Sequence, residues 1–315
     1  MLLSRVAENL YWMARYIERA EGLARLINVN TNLLLDLPKG LAPGWRPLVE
    51  ITGSEALYLE RHEEFDEQRV LRFLVVNQSN PGSLQSTVQA ARENARTIRD
   101  IIPREAWQQI NSLYYFTRDE QQAALSKRGR FQYLAEVINR AQTLTGTLAG
   151  TMNHDAGYTF VKMGRNLERA DVTSRFIDVR SAALIEEELQ QANSFDAIQW
   201  MSVLKSLSGY QMYRQSMQAR IRRSAVQRFL LQSTEFPRAV AHCIGEVQAS
   251  LRSLPRNRKP LLLINETQRN LQGADPAAMG QAELHQFIDQ LQFALAQINN
   301  AIADRYFPKP APPNN

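Results

Sequence analysis

Two short stretches of the chain place arginine and glutamate where they can act together: Arg15, Glu18 and Arg19, then Arg165, Glu168 and Arg169, 150 residues on. On a helix turning about 100° per residue, Arg15 and Glu18 fall three apart on one strip, and Glu21 and Arg25 four apart. The second stretch repeats this with Arg165–Glu168 and Asp171–Arg175. A guanidinium beside a carboxylate holds it ionised, which suits anchoring better than general-acid work. A solvated face would demand charge and not identity, yet both copies read Arg-x-x-Glu-Arg-Ala. The expectation is two helices facing each other, with Glu18, Arg19, Glu168 and Arg169 in one partly buried network. Two roles are open to it: a structural clamp, since buried networks specify geometry as well as chemistry, or a ligand site.

A second group, Arg92, Glu93, Asn94 and Arg96, crowds one helical stretch. Arg92 and Arg96 are like charges four apart, unfavourable unless an acid or anion lies between them. Either Asp100 and a glutamate from elsewhere neutralise them, or they form a carboxylate or phosphate clamp beside the repeated pairs. Other reactive types are sparse. Cys243 adjoins His242, but Ala239, Val240, Ile244 and Val247 surround them, which predicts a buried, inert thiol. His154-Asp155 is expected to cap the helix that follows. One cysteine and four scattered histidines (His62, His154, His242 and His285) argue against a metal enzyme. Gly129 and Gly164 stand alone, so neither a phosphate-cradling loop nor an ATP site of the chain's own is expected, and no cofactor is implied.

The elements that must carry these groups are helices. From Ser4, the residues Val6, Leu10, Met13, Ile17, Ala20, Ala24 and Ile27 recur at three- and four-residue steps, one apolar stripe over about seven turns. A connector follows over Asp36 to Pro47. Asn80 and Pro81 predict the cap and first residue of a helix running to Ile102, and Pro103 stops it and starts another. Further helices are expected over 131–152 and 155–186, from Pro237 to Pro255, and over Gln281–Tyr306. The Pro-rich segment 308–315 reads as a disordered tail.

Composition fits this all-α reading. Only 14 glycines and 13 prolines in 315 residues leave too few turns for a sandwich or barrel. No apolar run is long enough to span a membrane and no leader pattern opens the chain, so a cytoplasmic protein is expected. The net charge of +5 is too small and too dispersed to suggest nucleic acid. Its make-up is unusual: 31 arginines against 6 lysines. That excess reflects either genome composition or guanidiniums held in fixed ion pairs.

The two Arg/Glu stretches belong to a longer duplication. Met13–Val29 and Met163–Val179 are identical at eight of seventeen positions without a gap, where composition alone gives roughly one. At an offset of 156, Arg72-Phe73-Leu74 and Pro81 match Arg228-Phe229-Leu230 and Pro237. One helical body over 1–307 is expected, built from two similar halves, about 1–152 and 153–307, related by a pseudo-twofold axis.

With these motifs the chain resembles a bacterial family of helical proteins, the alpha-E family, marked by a Glu-Arg motif. The likeness rests on Tyr16-Ile-Glu-Arg-Ala-Glu21 and Gly164-Arg-Asn-Leu-Glu-Arg-Ala-Asp171. It extends through Leu3–Met13, Asn80-Pro-Gly-Ser-Leu84, Ala91–Arg96 and Ala301–Phe307, and so from the first helix to the last. Family members are typically encoded beside, or fused to, a circularly permuted ATP-grasp protein, with a transglutaminase-like protein and sometimes a proteasome-like peptidase. The resemblance implies an auxiliary or scaffold subunit of an ATP-dependent peptide or amide-ligase system. Such a subunit would bind the ATP-grasp partner and take up a peptidic or carboxylate substrate at the Glu/Arg centre. The alternative is an enzyme using that centre for acyl or amide chemistry on an activated carboxylate. In one respect the copies differ: Ala14 stands where the second has Gly164, so the halves need not be equivalent.

Overall fold

The computed structural model describes residues 3–36, 44–182, 192–218 and 220–307. Among them every regular element is a helix. The first half holds α1 (Ser4–Asp36), α2 (Arg46–Ile51), α3 (Glu55–Leu59), α4 (Glu67–Val75), α5 (Leu84–Thr97), α6 (Arg104–Asp119), α7 (Gln121–Leu125) and α8 (Arg130–Thr151). The second holds α9 (Ala156–Ala182), α10 (Ala192–Ser206), α11 (Tyr210–Met217), α12 (Arg223–Gln232), α13 (Val240–Arg252), α14 (Arg258–Gly273) and α15 (Gln281–Tyr306). The expected tail 308–315, the end of the stretch 155–186 and most of the Asp36–Pro47 connector lie outside the described residues.

Helix starts follow local chemistry. Ser83 caps α5, its Oγ accepting from the Ser86 N–H at 3.2 Å, and Asp66 caps α4 through the Arg69 N–H at 2.9 Å. The expected cap at Asn80 is corrected: its Oδ1 accepts from Gly82 N–H (2.9 Å) and its Nδ2 donates to the Phe73 carbonyl (3.1 Å). Asn80 therefore closes a turn onto the end of α4, and α5 begins three residues after Pro81. Likewise α13 begins at Val240, beyond Pro237. Asp155 caps α9 as expected, accepting from Gly157 N–H (2.8 Å) and Tyr158 N–H (3.3 Å).

Helices α1 and α9 form the axis of the molecule. They pack along each other, with α5 and α8 flanking α1 and α13 and α15 flanking α9. Helix α6 covers α5 and α8, and α14 covers α13 and α15. The two central helices run in the same direction, since Tyr11 meets Gly164 while Gly22 meets Val172. At the first crossing the backbones nearly touch: a Cβ on Gly164 would fall 2.2 Å from the Tyr11 carbonyl oxygen. Because α1 is surrounded, its charged strip is enclosed as well as its apolar one. Glu18 and Glu21 are buried alongside Leu10, Met13 and Ile27, which departs from the usual solvated back of an amphipathic helix. No described helix is long and apolar enough to cross a membrane.

Candidate functional site

The α1–α9 seam brings the repeated residues together across roughly half the chain. Glu18, on α1, accepts from Arg169 of α9 through Nε (2.9 Å) and Nη2 (2.7 Å). Glu168, on α9, accepts from Arg19 of α1 through both Nε and Nη2, and from Arg15 through Nε at 2.7 Å. Each glutamate is thus gripped by the arginine that follows the other glutamate in sequence. The fork of each guanidinium matches both carboxylate oxygens, a geometry that lysine cannot supply.

The within-helix pairing that spacing allows for Arg15–Glu18 and Arg165–Glu168 does not form. Arg15 reaches across to Glu168, and Arg165 makes no ion pair among the described residues, with its Nε buried and unbonded. The partner that replaces it beside Glu18 is Arg238, from the turn before α13. Arg238 donates to Glu18 Oε1 (2.6 Å) and to Glu21 Oε1 (2.7 Å), joining the two acids of α1. Sequence reasoning did not single out Arg238. Its signal was the Pro81/Pro237 echo, with glycine after one proline and arginine after the other. The Glu21–Arg25 and Asp171–Arg175 pairs form as spaced, at 2.9 and 2.8 Å.

Electrostatically the centre is locked. Burial works against ionisation of Glu18, but Arg238 and Arg169 outweigh it and hold its carboxyl at about 2. Burial likewise opposes the charge on Glu168, and Arg15 and Arg19 draw its carboxyl below the ordinary range. The guanidiniums of Arg15 and Arg169 lose solvation on burial and are pulled upward by Glu168 and Glu18 respectively. Neither glutamate therefore exchanges a proton near neutral pH. The arrangement can fix charge and geometry; it cannot act as an acid–base pair.

The second predicted group lies apart. Arg92 donates to Asn111 Oδ1 (2.7 Å) and to Glu93 (3.2 Å), and stacks on Tyr114 of α6 with 4.7 Å to the ring centre. Arg96 pairs with Glu93 at 2.8 Å, while Asp100 lies 3.8 Å from Arg99. The acid between the two arginines is therefore Glu93 on their own helix, and not Asp100. The partners of Arg92 and Arg96 all sit on α5 and α6, away from the α1–α9 pairs. The Asn94 carbonyl accepts from Thr97 Oγ1 at 2.8 Å.

Cys243 is fully buried, donates to the Pro237 carbonyl at 3.4 Å, and burial pushes its thiol up to about 12, as an inert core thiol requires. Among the described residues, one group can offer metal-ligand atoms: Asp178, His285 and Asp289, whose ligand atoms lie within 4.8 Å of one another. His285 Nδ1 is already engaged with Asp178 at 2.6 Å, and two of the three are exposed.

Fold and centre together define an all-helical protein organised around two crossed Glu-Arg pairs. The chain belongs to the Alpha-E family, described as a predicted alpha-helical domain with a conserved ER motif, whose model matches residues 2–307. Uncharacterised proteins of Mycobacterium bovis and of Mycobacterium tuberculosis strains CDC 1551 and H37Rv are each 22% identical to it over 95% of its length. The chain spans 36% of the length of these relatives. No solved structure matches it.

Proposed function

We propose that the chain is a non-catalytic helical subunit of an ATP-dependent peptide or amide-ligase system, acting in the cytoplasm. In this role it binds a circularly permuted ATP-grasp protein and offers a peptidic or carboxylate substrate a seat at the Glu/Arg centre. The transglutaminase-like and proteasome-like proteins associated with the family are further partners of the same system. The observation that carries the auxiliary role is the double pairing of buried Glu18 and Glu168, which holds both carboxylates ionised and so unsuited to shuttle protons at neutral pH. Support for the partner comes from family membership and from the curated relatives, in which the region similar to this chain makes up 36% of a longer protein.

We further infer that 1–152 and 153–307 are two similar halves of one domain, related by a pseudo-twofold axis between α1 and α9. Support for this comes from the packing: α5 and α8 lie on α1 as α13 and α15 lie on α9, and α6 covers the first pair as α14 covers the second. Capture of the tagged chain from native lysate tests the function. An ATP-grasp protein should co-purify, and its ATP turnover should change when this chain is removed. Capture without any ATP-grasp protein would sink the proposal.

A further inference from the structure

The two sides of the Glu-Arg centre are built alike but finished differently. Beside Glu18, the turn before α13 supplies Arg238, whose guanidinium fills the space and joins Glu18 to Glu21. At the offset of 156 its counterpart is Gly82, which follows Pro81 as Arg238 follows Pro237. A Cβ on Gly82 would meet only the Asn80 and Ser54 side-chain oxygens, at 3.2 and 3.7 Å. Beside Glu168 there is accordingly a cavity of about 260 Å³, lined at its polar end by Arg19, Thr52, Gly82, Asp171 and Arg175. Leu23, Leu26, Ile51 and Phe176 form its apolar wall.

The charges around the cavity select what enters. Glu168 is already paired with Arg15 and Arg19, and Asp171 with Arg175 through Oδ2, so each carboxylate there already has a guanidinium. Most of the unmet groups are donors. On the closed side, Arg169 Nη1 donates to the Pro237 carbonyl at 3.4 Å and Arg25 Nη1 to Ser208 Oγ at 2.6 Å. Their counterparts Arg19 and Arg175 line the cavity, each about a third exposed, and their Nη1 groups have no acceptor among the described residues. The left-handed turn that carries Ser208 on one side is matched by Gly53 on the other, which has no hydroxyl to offer Arg175. One acceptor, Asp171 Oδ1, also lacks a partner among the described residues, since Arg175 takes Oδ2. A dianionic phosphate would be repelled by it, whereas a carboxylate with a neighbouring N–H satisfies both signs.

We propose that this cavity binds the α-carboxylate end of an amino acid or peptide, and that Arg238 closes the equivalent seat on the other side. The carboxylate bridges Arg19 and Arg175, the adjacent nitrogen donates to Asp171, and the side chain lies on the apolar wall. The volume falls below the roughly 300–1,000 Å³ of drug-sized sites, which fits one or two residues. This inference rests on the reading that the Glu/Arg centre receives a peptidic or carboxylate substrate.

The test is calorimetric titration of the full chain with leucine, N-acetyl-leucine, N-acetyl-glycyl-leucine and its C-terminal amide, and inorganic phosphate. The free acids should bind, with N-acetyl-glycyl-leucine at least tenfold tighter than its amide. A preference for leucine over the acetylated acids would assign the seat to free amino acids, and the reverse to peptide ends. Gly82→Arg, which plugs the cavity as Arg238 does, should abolish binding, and Arg175→Gln should weaken it at least tenfold. Circular dichroism checks that each variant folds, and Arg175→Gln serves if Gly82→Arg does not. Absence of binding by every acid at millimolar concentration, equal binding of acid and amide, tighter binding of phosphate, or unchanged binding in a folded variant would each overturn it. A chain that binds acids but captures no ATP-grasp protein keeps this site and loses the proposed partner; the opposite result does the reverse.

Discussion

Glu18 and Arg169, 151 residues apart in sequence, form a buried two-point contact in which both carboxylate oxygens accept from one guanidinium. Removing the charge from Glu18 leaves Arg169 and Arg238 facing each other without their shared carboxylate in a largely enclosed seam. Glu18→Gln should lower unfolding free energy by about 3–5 kcal/mol, and Arg169→Lys should also destabilise, because an ammonium cannot reproduce the fork. Urea denaturation followed by circular dichroism measures both. Losses under about 1 kcal/mol would mean that the pair does not hold α1 and α9 together.

The same seam treats two repeated arginines unequally. Arg15 grips Glu168, while Arg165 leaves its Nε without a partner. Arg15→Met should therefore cost several kcal/mol, of the order found when a buried pair is broken. Arg165→Met removes an unsatisfied donor and keeps the aliphatic stem, so stability should stay within about 1 kcal/mol. Equal losses from the two substitutions would contradict the asymmetry.

Much of this architecture is legible in the amino-acid sequence. Periodicity and proline place α1, α8 and α15 to within a few residues and mark the starts of α6 and α9, and the identity of Arg-x-x-Glu-Arg-Ala in both copies points to burial. Short helices such as α2, α3, α11 and α12 leave no comparable trace, because segments of that length are held by packing and carry little helical signal of their own. Which arginine serves which glutamate is also hidden. Spacing along a helix predicts Arg15–Glu18, but a helix enclosed on all sides directs its charges to neighbours. Arg238 meets Glu18 from 220 residues away, a relation no local pattern encodes.

Gly164 makes a further prediction. A methyl group there would sit 2.2 Å from the Tyr11 carbonyl oxygen and 3.0 Å from its carbon, and backbone cannot swing aside as a side chain can. Alanine would ordinarily favour a helix over glycine by up to about 1 kcal/mol. Here Gly164→Ala must push α1 and α9 apart and should instead destabilise by about 1–3 kcal/mol. Thermal unfolding decides the sign. A raised midpoint would show that the two helices have room to spare.

Acid sensitivity follows from the locked carboxylates. In the unfolded chain Glu18 titrates near its ordinary 4.5, and in the folded protein Arg238 and Arg169 overcome burial and hold it at about 2. As pH falls, the unfolded chain takes up the proton first, so a depressed native pKa stabilises the fold above the unfolded value. The contribution of Glu18, on the order of 3 kcal/mol, should be complete above about pH 4.5 and lost as pH falls toward 2. Glu168, displaced in the same direction, adds to the slope. Urea midpoints measured between pH 7 and pH 2.5 should drop steeply below 4.5. In Glu18→Gln the curve should start lower and fall less, since that group no longer titrates. Parallel curves for the two proteins would assign acid unfolding to carboxylates elsewhere in the molecule.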